Sequence, residues 1–259
     1  MLAMERRDKI LKILAEEKHV KVPDLAKAFS VTEETIRRDL DKLEKDGFCI
    51  KSYGGAMLKE NLSFDLPFHV RQNKNVVGKG QMGALVASLI SEGESLFLDA
   101  STTAVFVARA LKSFSALTVI TNSVEILMEL FDQPGWTVVG TGGEVMHGYR
   151  AMLGTRAEEA IRSYYADTAI ISCKCLDRDR GMCESRWDLL SPKKAMISCS
   201  KRRILVADAS KFDQSSLAVN PGFQDIDYLV TDKEPSKEWR EFLAERDISI
   251  LYPERTYTA

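Results

Sequence analysis

SVTEETIRRDLDKLEKDG, Ser30 to Gly47, is the stretch on which the fold of the amino-terminal part turns. Ile36, Leu40 and Leu43 recur at helical spacing, Thr32 is a strong N-cap, and Glu33 and Glu34 complement the positive end of a helix dipole. The spacing therefore predicts a helix ending near Gly47. Its apolar face leaves Glu33, Thr35, Arg37, Arg38 and Lys42 on outward or flanking positions. A helix is about the right width for the major groove of B-DNA, where arginine pairs bidentately with guanine and threonine meets a thymine methyl or a phosphate. The plain alternative is a solvated face on which Arg37 or Arg38 pairs with Asp39 or Asp41.

Upstream, Ile10, Leu11, Ile13 and Leu14 mark a helix over Arg6 to Glu16. Pro23 suits the first turn of a second helix, Asp24 to Phe29, and Ser30 and Val31 make the turn that follows. Downstream, FCIKSYGGAM (Phe48 to Met57) is a short extended run broken by Gly54 and Gly55, which reads as one or two strands with a tight turn, a wing. Helix, turn, outward helix and wing in one run resemble the winged helix-turn-helix of the DeoR family of bacterial repressors. Arg6 or Arg7, SVTEETIRRDLDKLEKDG and Gly54-Gly55-Ala56 carry the likeness. The resemblance implies that Thr35, Arg37 and Arg38 approach double-stranded operator DNA, while Lys51, Ser52 and Tyr53 touch sugar or phosphate. Two departures stand out: Val22 where members often have serine, and Phe48, Cys49 and Ser52 where basic residues are frequent.

With 259 residues the chain is long enough for about two domains. The segment KENLSFDLPFHVRQNKN, Lys59 to Asn75, is polar, contains Pro67 and has no sustained period. It is the expected connection, residues 58–75, between a domain of residues 1–57 and one of residues 76–259. No run approaches about 18 uncharged apolar residues, and charge precedes any hydrophobic run at the amino end; neither a membrane span nor a secretory signal is visible, and the expected compartment is the cytoplasm. Five cysteines without paired CxxC spacing read as reduced thiols, so no metal and no cofactor is assigned. A net charge of -2 gives no global basic field, so a nucleic-acid partner has to be met by a local site.

From Val76 onward, apolar runs such as SLFLDA, LTVIT, DTAIIS and RRILVADAS alternate with amphipathic helical stretches. The fold class expected is α/β, with the winged helix-turn-helix followed by a mostly parallel, doubly wound, Rossmann-like sheet. Helices are expected near Ala157 to Tyr164 and near Pro192 to Ser200, among others. Ligands of such sheets bind beyond the carboxyl ends of the strands. There the chain places Asp99-Ala-Ser-Thr-Thr103, Thr121-Asn-Ser123, Gly140-Thr-Gly-Gly143, Lys174, and Asp208 with Lys211. Hydroxyls and free N–H groups at a helix start favour phosphate, and lysines add charge. Ordinary capping by Ser101 or Thr102, turn glycines and solvated lysines are the plain alternatives.

These same positions resemble the DeoR family sensor domain over Phe68 to Tyr252, a domain similar to the sugar-phosphate isomerase fold that typically takes a phosphorylated sugar or polyol. The resemblance implies effector contacts from Asp99, Ser101, Thr102, Thr103, Asn122, Gly143, Lys174, Asp208 and Lys211, with Lys79 and Arg71 as further cations. Ala100, Cys175 and the stretch Glu184 to Lys193 (ESRWDLLSPK) depart from the family's pattern. The function implied is a non-enzymatic transcriptional regulator, a repressor, controlled by a phosphorylated effector. The alternative is a sugar-phosphate isomerase with an accessory DNA-binding module. A single short recognition helix covers few base pairs, so a homodimer or higher homo-oligomer is expected.

Overall fold

The computed structural model describes residues 1–59, 65–146, 148–220 and 223–253, and the chain divides into two compact units, Met1–Lys74 and Asn75–Ala259. The first unit runs α1 (Ala3–Glu17), β1 (His19–Lys21), α2 (Val22–Phe29), α3 (Glu33–Lys45), β2 (Cys49–Ser52), β3 (Gly55–Leu58) and α4 (Phe68–Asn73). Ile10, Leu14, Leu25, Ile36, Leu40 and Leu43 form its core. Thr32 caps α3 as its sequence predicts, its hydroxyl accepting from the Thr35 N–H at 3.3 Å.

The wing is larger than two strands, because β1 pairs with β3 in the order β1-β3-β2. Three residues are too few to show a period, which is why His19–Lys21 gave no strand signal. That pairing accounts for the double glycine. Gly54 turns at φ +77°, and a Cβ on Gly55 would lie 2.0 Å from the Val20 carbonyl oxygen, so the two backbones meet only if position 55 has no side chain. The expected connection, residues 58–75, also needs correcting in its last part: α4 lies there, and its Val70 is buried in the first unit's core. Residues 60–64 of that segment lie outside the described residues.

In the second unit α5 (Val76–Ala87) leads to β4 (Ser95–Leu98), α6 (Thr102–Ala110), β5 (Thr118–Thr121), α7 (Val124–Leu130) and β6 (Thr137–Gly140). A hairpin of β7 (Glu144–Met146) and β8 (Ala151–Leu153) precedes α8 (Thr155–Arg162) and β9 (Ala166–Ser172). Next come β10 (Cys175–Asp177), β11 (Gly181–Glu184), α9 (Trp187–Ser198), β12 (Ser200–Val206), β13 (Ala218–Asn220), β14 (Tyr228–Val230), α10 (Lys237–Ala244) and β15 (Ser249–Leu251). Seven strands make one sheet in the order β15-β14-β12-β9-β4-β5-β6, and each neighbouring pair is parallel. Leu96, Phe97 and Leu98 in β4 and Ile204, Leu205 and Val206 in β12 are all fully buried, as strands covered on both faces require.

The doubly wound α/β class read from the sequence is the class observed. Helix α9 begins at Trp187, however, five residues before the expected start, and Pro192 sits inside it. The antiparallel sheet β10-β11-β13 and the β7–β8 hairpin escaped the sequence reading, because most of their strands are only three residues long. The winding sets the site. From β4 the chain moves outward to β5 and β6, then returns to lay β9 on the other side of β4, so the topological switch lies between the carboxyl ends of β4 and β9.

Candidate functional site

On the first unit, Ile36, Asp39, Leu40 and Leu43 of α3 face inward, leaving Arg37 and Arg38 exposed and Thr35 half-buried. Arg37 donates to Glu33 at 2.6 Å and Arg38 to Glu34 at 3.1 Å, each one helical turn back. The pairs with Asp39 or Asp41 considered for these arginines do not form, since the carboxylates one turn toward the amino end lie within easier reach. Asp39 is buried instead and accepts from Arg6 Nε at 2.5 Å, fastening α1 to α3. Lys51 pairs with Asp41, which holds its ammonium above the ordinary lysine value, and its N–H donates to Glu44 at 2.8 Å. Ser52 and Tyr53 are exposed at the wing's turn.

In the second unit, Asp99 leaves β4 at the switch point, 1 % exposed. Its Oδ1 accepts from the Ser101 N–H at 3.0 Å, and its Oδ2 accepts from the Ser172 N–H at 2.8 Å at the end of β9. Lys193 of α9 reaches the same carboxylate at 2.8 Å, Glu184 at 2.7 Å and the Ser172 carbonyl at 2.5 Å. Burial alone would lower the Lys193 pKa, but the Asp99 and Glu184 carboxylates outweigh it and hold the ammonium above its ordinary range. A half-buried lysine, its side chain 13 % exposed, thus ties two buried carboxylates across the switch point. Ser101 caps α6 by accepting from the Ala104 N–H at 3.0 Å, and Thr102 and Thr103, both buried, begin the helix.

The remaining sites fall in distinct places. Lys211 is half-buried at the end of the short turn that Asp208 opens, and its N–H donates to the Asp208 carbonyl at 3.0 Å. Lys174 is half-buried, and its N–H donates to the Cys183 carbonyl at 3.0 Å. Asp208 caps a short turn, accepting from the Ser210 N–H at 3.0 Å. Asn122 is buried and donates to the Met152 carbonyl at 3.1 Å, while its Oδ1 has no hydrogen-bond partner among the described residues. Gly143, at φ +109°, packs against the Leu153 carbonyl, so Asn122 and Gly143 both meet β8. Lys79 is buried on α5, its ammonium 5.9 Å from the centre of the Phe106 ring. Arg71 belongs to the first unit, where its Nε donates to the Leu66 carbonyl at 2.9 Å. Among the described residues no group of three or more His, Cys, Asp or Glu could hold a metal ion, and no helix is long and apolar enough to cross a membrane.

Sequence reasoning missed Lys193 and Glu184 as members of the site. A signal existed for Lys193: it stands three residues after Leu190 and four before Ile197, on the inward stripe of α9, where a lysine requires a buried partner. Asp39 carries the same signal, three residues after Ile36 on the inward stripe of α3.

Comparison with known proteins bears on both units. Residues 6–61 match the profile described as DeoR-like helix-turn-helix domain, and residues 74–233 match that described as DeoR C terminal sensor domain. The HTH-type transcriptional regulator YulB of Bacillus subtilis (strain 168) is 37% identical over 233 residues, 90% of either chain. The transcriptional repressor AccR of Agrobacterium fabrum (strain C58 / ATCC 33970) is 36% identical over 229 residues, 88% of this chain and 89% of its own. The glycerol-3-phosphate regulon repressor of Escherichia coli (strain K12) is 27% identical over 250 residues, 96% of this chain and 99% of its own.

Proposed function

The chain belongs to the DeoR family of transcriptional regulators, and on that footing we propose that it represses transcription by setting α3 into the major groove of an operator and that a phosphorylated sugar or polyol controls its affinity for DNA. Thr35, Arg37 and Arg38 are the groove-facing residues in this reading, and Lys51, Ser52 and Tyr53 follow the backbone. The exposed pairs of Arg37 and Arg38 with Glu33 and Glu34 are each worth only a few tenths of a kcal/mol, so both guanidiniums can exchange them for DNA at little cost. Lys51 has to give up Asp41 in the same way. Two copies are needed to read a two-part operator, so the acting species is a homodimer or higher homo-oligomer.

One observation carries the effector assignment: at the β4/β9 switch point, the start of α6 at Thr102 and Thr103 stands next to the buried Asp99, Ser172 and Glu184, which the half-buried Lys193 ties together. The helix start supplies N–H donors to a phosphate, and Lys174 and Lys211 add charge. Asp99, Asp208 and Asn122 offer acceptors to hydroxyls, with Gly143 beside them. Lys79 is a lesser candidate. That a 27% identical relative is named for the glycerol-3-phosphate regulon agrees with this class of ligand.

Asp99 and Glu184 around one lysine also favour a second reading, proton transfer on a sugar phosphate. A thermal-shift screen of the full chain against phosphorylated sugars and polyols and their unphosphorylated forms tests the first, since a ligand that binds the folded state raises its stability. A shift only with phosphorylated compounds supports it. Equal shifts with the unphosphorylated forms overturn it, and turnover of the bound compound moves the case to the second reading.

A further inference from the structure

Strands β10 and β11 pair antiparallel with Cys175 directly opposite Cys183. Opposite residues of such a pair lie about 4.5 to 5.5 Å apart at Cα, with both side chains on one face, and a disulfide spans about 4.4 to 6.8 Å. We propose that Cys175 and Cys183 form a reversible dithiol–disulfide site, oxidised by a small peroxide, at the edge of the crevice that holds Lys193. The pair is not equivalent. Hydrogen bonds from the Cys175 thiol and the Ser216 N–H lower the Cys183 pKa, whereas Cys175, as donor to Cys183, is raised. Taking Cys183, whose thiol donates to the Gly181 carbonyl at 3.7 Å, as the attacking sulfur and Cys175 as the resolving one gives the same disulfide as the two roles exchanged. Burial pushes the neighbouring Cys173 up, and pushes Cys49 in the first unit up to about 11, so both stay protonated thiols.

The chemistry balances. The Cys183 thiolate attacks one oxygen of hydrogen peroxide; the O–O bond breaks, and the departing hydroxide leaves as water with the proton Cys183 gave up. The Cys175 thiol then attacks the resulting sulfenic sulfur; the S–O bond breaks, and a second water leaves with the Cys175 proton. Both thiols are buried, at 2 % and 0 % exposed, which favours a small neutral oxidant over a bulky disulfide. Cys175 follows Lys174, and Cys183 precedes Glu184, the carboxylate 2.7 Å from Lys193. A covalent tie there fixes the two strands next to the crevice. Any effect on effector binding rests on the effector reading above; the disulfide itself does not.

The test treats the full chain with hydrogen peroxide, alkylates free thiols with iodoacetamide and digests with trypsin without reductant. Cleavage after Lys174, Arg178, Arg180 and Arg186 puts Cys175 in CLDR and Cys183 in GMCESR, and separates Cys173 from both. A linked CLDR–GMCESR peptide, abolished by dithiothreitol and absent from Cys175→Ala and Cys183→Ala, is the expected result. Both peptides recovered singly, alkylated or over-oxidised, or linked instead through Cys173 or Cys199, would overturn the site. In a second arm, oxidised and reduced protein are titrated with glycerol 3-phosphate, and at least a threefold difference in apparent Kd is expected. A linked peptide with unchanged Kd overturns the coupling alone; no response of the reduced protein to any phosphorylated compound overturns the effector reading and leaves the disulfide result standing.

Discussion

Arg6 on α1 and Asp39 on α3 form a buried ion pair, Nε to Oδ2 2.5 Å, on the inner side of the helix whose outer side carries Arg37 and Arg38. Arg7 supports it at 3.9 Å. Helices α1 and α3 are thus tied by a charge pair in the core. Removing one partner leaves the other charge buried and uncompensated, so Asp39→Ala should destabilise the first unit by about 3 to 5 kcal/mol. A paired Arg6→Met/Asp39→Leu replacement should cost much less than the sum of the two single changes. Urea titrations of Arg6→Met, Asp39→Leu and the double variant check this, and additive single and double effects would contradict it.

Arg38 is the most exposed of the α3 arginines, its side chain 77 % accessible, with one exposed partner. Arg38→Ala should change folding stability by less than about 0.5 kcal/mol. The same change should weaken binding of a selected operator duplex by about 1 to 3 kcal/mol if Arg38 contacts a base. Stability and affinity falling together would mean that the side chain supports the fold.

Lys193 stabilises Asp99 and Glu184, and Lys193→Met should cost about 3 to 5 kcal/mol near neutral pH by leaving both carboxylates without their cation. Because the pKa is raised in the folded state, the wild-type advantage is fully present below the unfolded lysine value of about 10.4 and is lost as pH rises through the folded value. Denaturation of wild type and variant from pH 7 to strongly alkaline conditions measures it. An advantage that grew with alkalinity would have the wrong sign.

Gly143→Ala separates a turn from a ligand contact. At φ +109°, with a Cβ 2.5 Å from the Leu153 carbonyl oxygen, alanine is strained whether or not a ligand is bound, so the variant should lose more than about 1 kcal/mol of stability in the absence of any ligand. Wild-type stability of this variant would show that the backbone there adjusts freely.

The parts legible in the sequence are those where one residue type has one physical use. Thr32 as cap, Ile36, Leu40 and Leu43 as an inner stripe, and the fully apolar runs of β4 and β12 announce themselves through period and capping. Asp39 and Lys193 were harder to read because a charge on an apolar stripe is interpretable only with its partner, and Arg6 and Asp99 stand 33 and 94 positions away, a separation that tertiary folding alone closes. The three-residue strands β1 and β10 are fixed by the strands they pair with, and their own sequences are too short for alternation to show.

Repression under effector control is measured most directly by the anisotropy of a labelled operator duplex, selected from random sequence by the full chain, titrated with protein alone and with glycerol 3-phosphate or another phosphorylated compound that shifts the melting temperature. The expected result is specific binding that Arg37→Ala/Arg38→Ala abolishes and that the phosphorylated compound, and not its unphosphorylated form, changes at least fivefold. Specific binding that survives the double substitution, or an affinity indifferent to every phosphorylated compound that binds, would contradict it.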